Sequence, residues 1–388
     1  MSELKIKKKN FFFFIAYIIF LLYKILAVST FNEVINETIN FLKISSWILF
    51  IVKILTCNKL NIKLIIIYVI LLGFSIAIRI KSGSSEILEI VLVTIAANDI
   101  EFKKIAKVTL IETIFFCLII IIFGISEVIP NYSFLRSNGD YSNSYGFIYV
   151  SKLPSFILNI IFLSIYLEDN KRKYVSSAKL IFYFLLATFT FGMTYVRNQY
   201  IMSLLFIVLY VYGVKHKKIN FAKCKILIMC IFPICIVMTL FLVKNFDASN
   251  KLYSKLNNML STRLSVMNRV YEQSKINALG NKIEMNGFSA VNENYTYVDS
   301  GYISVLLRDG YISLAMVSLS YIYLLKRNIE NNNYTLVIWI CIVAMSSMID
   351  DTLFVQLNFN CIILTLLNTN KEKRKGEKNE SSSCNSYI

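Results

Sequence analysis

Apolar runs long enough to cross a bilayer follow one another along almost the whole of this 388-residue chain, and one sizeable polar stretch, residues 244–300, interrupts them near the C-terminal third. A bilayer crossing takes about 20 mostly apolar residues in a helix. Windows of that kind fall at 10–29, 41–57, 63–80, 85–98, 106–126, 144–167, 178–196, 199–214, 225–243, 301–325, 333–349 and 352–369. With 56% apolar residues and only 3 Pro, no single water-soluble core accounts for them. The expected fold is therefore all-α, a polytopic integral membrane protein with about 12 transmembrane helices and one large extracytoplasmic loop. It reads as a single membrane domain over 1–388, with the loop at 244–300 and a basic tail at 370–388 that is expected to be disordered. The windows at 85–98, 199–214 and 333–349 are short, so tilted, partly buried or re-entrant segments are expected there.

Charge orients the chain. If the N-terminus is cytoplasmic and the spans alternate, most of the 41 Lys and Arg fall on the cytoplasmic side, including Lys171, Arg172, Lys173, Lys215, Lys217 and Lys218. The short loops on the other side hold only Arg79, Lys81, Arg136 and Arg197, which is the positive-inside pattern. Both termini are then cytoplasmic, and 126–143 and 244–300 lie outside. Lys5, Lys7, Lys8 and Lys9 precede the first apolar run in the order of a secretory signal. That run is too long and lacks a small-residue cleavage site, so it is expected to remain as a helix.

The same distribution explains the net charge of +17 as mostly topogenic, with the tail beside anionic headgroups. Nucleic acid is not expected as a partner, because the basic residues are scattered among membrane loops. The 8 Cys (Cys57, Cys117, Cys224, Cys230, Cys235, Cys341, Cys361, Cys384) avoid the outside loops and show no metal-ligand spacing, so neither a structural disulfide nor a metal is expected. The one histidine, His216, lies in a basic cytoplasmic loop, which excludes histidine catalysis outside. No glycine-rich phosphate loop follows a strand, so no nucleotide cofactor is expected and the energy of any reaction comes from an activated substrate.

Two cations stand at unusual depth. Arg308 lies about seven residues into the window at 301–325, roughly 10 Å along a helix, and Lys152 lies at similar depth in the window at 144–167. Charges at such depth either snorkel to the headgroups or face a bundle interior. On a helix Gly301, Ser304 and Arg308 share a face, leaving room for a phosphate beside the guanidinium. Pro154, two residues after Lys152, is expected to bend or open that helix near its outer end.

The outside segments carry motifs. Arg136-Ser-Asn-Gly139-Asp-Tyr141-Ser-Asn143-Ser-Tyr145-Gly146 is followed by Thr194-Tyr-Val-Arg197, then Arg263-Leu264 with Ala278-Leu-Gly280, and finally Asp299-Ser-Gly-Tyr302-Ile-Ser-Val-Leu-Leu307-Arg-Asp-Gly310-Tyr-Ile312. In order and spacing these resemble the Wzy-type repeat-unit polymerases of the O-antigen polymerase and ligase superfamily, across the architecture of the whole chain. Departures are Tyr141 where the family often has His, Ser300 for the usual Asn, and Met267 for an aromatic after Arg-Leu. They argue against the histidine-dependent ligase branch.

The resemblance implies a capsule or O-antigen polymerase in the plasma membrane of a bacterium. Such a glycosyltransferase joins oligosaccharide repeat units carried on undecaprenyl diphosphate, without metal or cofactor and with inversion at the anomeric carbon. Its partners would be the lipid-linked oligosaccharide and membrane lipids, with a chain-length regulator and a flippase. Arg136, Arg197, Arg263 and Arg308 are the expected diphosphate ligands, since arginine offers a planar donor fork and a permanent charge. Asp299 is the expected base, although Asp-Ser at a helix start is also an ordinary cap. Asp350 and Asp351 are the runner-up acids. Asn143, Lys152 and Tyr302 are further substrate-binding candidates, and Arg269 and the loop lysines read as solubilising charge. A repeat-unit flippase or other transporter, and an O-antigen ligase, are the alternative functions.

Overall fold

The computed structural model describes residues 2–57, 62–135, 141–172, 174–285, 287 and 296–367. Arg136, the tail at 370–388 and most of 286–295 lie outside the described residues. The chain is mostly helical (73%), and the described residues contain one two-stranded antiparallel sheet. The helices are α1 (Ser2–Ala27), α2 (Phe31–Val34), α3 (Asn36–Cys57), α4 (Ile62–Ser82), α5 (Glu86–Ala96) and α6 (Phe102–Ile125). Strands β1 (Ser133–Leu135) and β2 (Tyr141–Asn143) pair with Ser133 opposite Asn143. Then follow α7 (Lys152–Arg172), α8 (Ser177–Thr194), α9 (Arg197–Leu209, continued as a π-helix to Lys215), α10 (Lys225–Met229) and α11 (Ile231–Lys244). The polar stretch contributes α12 (Lys251–Met259) and α13 (Arg263–Gln273). The C-terminal part holds α14 (Gly301–Ser304, continued as a π-helix to Asp309), α15 (Tyr311–Glu330), α16 (Tyr334–Ser346), α17 (Thr352–Val355) and a 3-10 turn at Ile362–Thr365.

Among the described residues five segments are long and apolar enough to cross a membrane: Asn36–Thr56, Ile62–Ser82, Phe102–Ile125, Ser177–Thr194 and Arg197–Lys215. This makes the chain a helical membrane protein. These helices expose much of their apolar surface, whereas α5, α7 and α16 are buried over most of their length. An all-apolar helix with no exposed face belongs to the centre of a bundle. Trp339 of α16 illustrates the packing, fully buried with its ring 5.1 Å from Phe162 and 6.4 Å from Phe102. Helix α5 meets the expectation of a short, buried segment at 85–98.

Three windows fold otherwise than their hydropathy implies. The window at 144–167 becomes helical only at Lys152, so Pro154 lies in the first turn of α7, where a missing N–H costs no hydrogen bond. It starts the helix and does not bend it. The window at 301–325 divides at Gly310, whose φ is +90°. Before it, residues 301–309 form a short segment that is almost wholly buried; after it, α15 runs on its own. Arg308 therefore sits at the end of a separate short segment and not within a long span. The window at 352–369 is no continuous helix. Its backbone is served by side chains: Asn159 Nδ2 donates to the Asn358 carbonyl at 3.1 Å, Asn360 Nδ2 to that of Leu353 at 2.8 Å, and Arg327 Nη2 to that of Thr365 at 2.9 Å. Irregular backbone at membrane depth is tolerated only inside protein, and residues 352–365 are buried apart from the half-buried Gln356.

The polar stretch is packed onto the bundle. Leu264, Val266, Met267 and Val270 of α13 form a second core with Val243 at the end of α11 and with Val298, Ile303 and Leu307. Further along, the chain hooks under the 308–312 turn: Asn281 N–H donates to the Arg308 carbonyl at 3.0 Å, and Tyr311 N–H to that of Asn277 at 3.2 Å. The approach is so close that a Cβ on Gly280 would stand 1.9 Å from the Arg308 carbonyl oxygen, and one on Gly310 would stand 2.2 Å from that of Ala278. Gly280 also has φ +76°. Gly280→Ala is expected to cost more than about 2 kcal/mol, read as a lower thermal midpoint of the detergent-purified protein. Gly192→Ala, which meets open space, is expected to stay within about 0.5 kcal/mol; equal midpoints for the two variants would contradict the hook.

Candidate functional site

Helix α16 ends in the turn at residues 347–351, and the two margins of the polar stretch converge on it. The last carbonyls of a helix have no intrahelical partner. Here Ala344 accepts from the Tyr302 hydroxyl at 2.7 Å, and Ser347 accepts from the Ser300 hydroxyl at 3.1 Å and from Gly301 N–H at 3.0 Å. Asp350 accepts from the same N–H at 3.2 Å. Ile349 accepts from Arg263 Nη1 at 2.6 Å. A cation at a helix C-terminus is also favoured by the helix dipole.

That placement brings Arg263 and Asp299 together, Nε to Oδ2 at 3.4 Å, with side chains 25% and 17% exposed. The cap of the next helix is Ser300, whose hydroxyl accepts from Ile303 N–H. The Asp299 carboxylate is thereby turned to the arginine and away from capping.

The runner-up acids divide. Asp350 is tied into the bundle by Gln199 Nε2 at 2.6 Å, by Thr352 N–H at 2.9 Å and by the Thr352 hydroxyl. Asp351 accepts from the Tyr297 hydroxyl at 2.5 Å and lies near Lys152. Burial pushes its carboxyl above the usual carboxylate range, against the opposing pull of the Lys152 charge. Tyr297 packs on Tyr149 with ring centres 5.8 Å apart. Burial raises the Tyr149 phenol, and the Asp299 and Asp351 carboxylates add to it, so this ring stands within the field of both acids. Lys152 is itself 6% exposed, its Nζ 5.6 Å from the Phe359 ring centre.

Beyond Asp351 the charges continue. Arg308 donates through Nε and Nη2 to Asp309 Oδ2 at 3.3 and 3.2 Å, and the carboxylates of Glu86 and Asp351 act on the same guanidinium. Glu86, at the start of α5, accepts from Lys24 Nζ of α1 through both oxygens at 2.9 Å. The same Nζ donates to Glu89 Oε2 at 3.0 Å, and Glu89 also accepts from the Tyr23 hydroxyl. One electrostatic chain thus runs from Arg263 and Asp299, past Asp351 and Lys152, to Arg308, Asp309, Glu86 and Lys24. Paired ions out of water need such mutual compensation, because each alone costs several kcal/mol.

Among the sequence candidates, Arg263, Asp299, Lys152 and Arg308 fall in this chain. Gly301, Ser304 and Arg308 do not frame one cavity, since Gly301 packs on Phe354, Ser304 reaches Met285, and Arg308 turns to Asp309. Tyr302 is a core residue, fully buried against Phe232 and Phe354. Asn143 accepts from the Ser133 hydroxyl at 2.6 Å and closes the β-hairpin. Arg136 lies in the stretch between β1 and β2, outside the described residues. Arg197 is exposed at the start of α9 and faces an open depression beside α12, lined also by Lys251 and Lys255. The sequence reading missed Lys24, Glu86, Glu89, Asp309, Tyr149 and Tyr297. A lysine inside one apolar window and two glutamates one turn apart in another were the available signal, since charges in a membrane segment require partners.

Comparison with protein-family models, with curated proteins and with solved structures finds no match for this chain. Arg263→Ala removes a charge-assisted hydrogen bond and leaves Asp299 without its guanidinium. The expected loss is about 1.5–3 kcal/mol, read as a lower thermal midpoint and faster proteolysis within 244–300. An unchanged midpoint and digestion pattern would show that the loop is held by other means.

Proposed function

We propose that this protein is a polysaccharide polymerase that joins lipid-linked oligosaccharide repeat units, carried on undecaprenyl diphosphate, at the outer face of a bacterial cytoplasmic membrane. The observation that carries the reading is the convergence of Arg263, Asp299, Lys152, Asp351 and Arg308 at the face where the large loop folds back. The order of the motifs that hold these residues, and the positive-inside distribution that puts this face outside, support it. About 12 spans, cytoplasmic termini and a capsule or O-antigen product belong to the same proposal.

The reaction moves the growing glycan from its diphosphate to a sugar hydroxyl of another lipid-linked unit. Negative charge grows on the leaving diphosphate, and fixed cations in a site of low dielectric stabilise it. Arg263 and Arg308 are the ligands in this scheme, joined by Lys152 and by Arg136. Each cation starts beside a carboxylate, Arg263 with Asp299 and Arg308 with Asp309. A diphosphate that takes the Arg263 fork releases Asp299 as the base for the acceptor hydroxyl. The C–O bond to diphosphate breaks as the acceptor oxygen attacks the anomeric carbon, and the acceptor proton passes to Asp299. Asp351, with its raised carboxyl, is the second base in reach.

Cells lacking a polymerase retain single repeat units on lipid outside, loss of a flippase traps them inside, and loss of a ligase leaves free long polymer. The first pattern is expected here. Asp299→Asn is expected to slow polymerisation at least about 100-fold, and Arg136→Ala and Arg263→Ala to abolish polymer while leaving the protein in the membrane, whereas Lys282→Ala, exposed on the loop, keeps normal chain length. Normal glycan length in both arginine variants would remove the reading.

A further inference from the structure

The depression beside Arg197 lies apart from the chain of paired charges. It measures roughly 600 Å³, and its polar lining is Arg197, Ser249, Lys251, Ser254, Lys255 and Asn258. Among the described residues no carboxylate lines it directly, in contrast to the cations of the 347–351 corner; Asp247, close in sequence to the lining, is engaged by Ser249, whose hydroxyl donates to it at 2.7 Å.

Two elements build it. Arg197 is the first residue of α9 and opens the stretch Arg197–Lys215 that is long and apolar enough to cross a membrane. In a span that begins there, its guanidinium would stand where bilayer hydrocarbon gives way to headgroups. Val196 supplies no side-chain cap, so the first N–H groups of α9 keep their positive end unmatched by a side chain at the cap. One turn deeper, Ile201 is 54% exposed.

The other element is α12, capped by Asn250, whose side chain accepts from Leu252 N–H at 2.9 Å. Lys251, Ser254, Lys255 and Asn258 follow by i+3 and i+4 steps and form the side that faces Arg197. Leu256 and Leu260 pack on the second core. Leu252, Lys255 and Met259 form a further stripe, in which Leu252 is 74% and Met259 64% exposed. A short helix that leaves large apolar side chains outward between lysines, at the level where a span begins, has the make-up of an interfacial helix. Lysine and arginine at that level meet lipid phosphates.

We propose that this depression binds the phosphate of an anionic phospholipid headgroup, with Leu252 and Met259 seated in the acyl boundary and the lipid's chains along the Ile201 side of α9. Arg197 supplies a two-pronged contact, Lys251 and Lys255 supply point charges, and the Ser254 hydroxyl supplies a donor, while the Ser249 hydroxyl is held by Asp247 Oδ1 at 2.7 Å. The site stands independently of the polymerase reading, since its test needs no glycan.

The test titrates full-length protein in neutral detergent with dioctanoyl phosphatidylglycerol, dioctanoyl phosphatidylcholine and inorganic phosphate. Phosphatidylglycerol is expected to bind at least about tenfold tighter than either of the others. A variant with Arg197→Gln, Lys251→Gln and Lys255→Gln is expected to weaken it about a hundredfold, and Arg197→Gln alone about fivefold, at an unchanged thermal midpoint without lipid. Leu252→Ser with Met259→Ser is expected to weaken phosphatidylglycerol and leave inorganic phosphate as it was. Unchanged lipid affinity in the glutamine variants would overturn the proposal. Equal affinity for inorganic phosphate would reduce the site to one for free anions, and equal affinity for phosphatidylcholine would reduce it to unspecific lipid contact; either overturns it too.

Discussion

Helix α16 stops inside the protein, and the carbonyls at its end must find donors that its own backbone does not provide. Ala344, Ser347, Ile349 and Asp350 take them from Tyr302, Ser300, Gly301 and Arg263. Two parts of the polar stretch separated by more than thirty residues are thereby brought to one corner. The pairing of Arg263 with Asp299 and the position of Asp351 beneath Tyr297 follow from that attachment. So does the lateral course of 301–309, which begins at this corner and ends with Arg308 and Asp309 beside α5. The polar stretch is fastened at both of these points, and its small core rests on the end of α11.

A second constraint is charge compensation. Lys24, Glu86 and Glu89 face one another across α1 and α5, and the Glu86 carboxylate acts on Arg308. A guanidinium so flanked keeps its charge and direction before any ligand arrives, which is what preorganised stabilisation of a leaving diphosphate requires. In the proposed reaction, the carboxylates that hold these cations are also the candidate bases. One exchange of partners at Arg263 would then couple donor binding to release of the base.

Hydropathy made the membrane class legible, as well as the short, buried α5. It failed where polar side chains replace backbone partners. Asn358 and Asn360 sit in an apolar run that reads as a helix, yet amides from Asn159 and Asn360 bond the backbone and leave the segment irregular. Gly310 was visible as a residue, but its role depends on Ala278 arriving from the loop, some thirty residues away in sequence. Lys24 and Glu86 each look like a stray charge in an apolar window, and only their contact explains both. Tyr302 matched a motif, while its neighbours Phe232 and Phe354 make it part of the core. Lys251 and Lys255 read as solubilising charge because nothing in their spacing points to Arg197.

The most direct measurement is reconstitution of the purified protein in vesicles with a defined undecaprenyl-diphosphate-linked repeat unit, followed by product length and anomeric configuration. A ladder of lipid-linked polymer is expected, its new linkage inverted relative to the donor, as a single displacement assisted by Asp299 requires. Recovery of single repeat units alone, or of polymer that retains the donor configuration, would contradict that reaction.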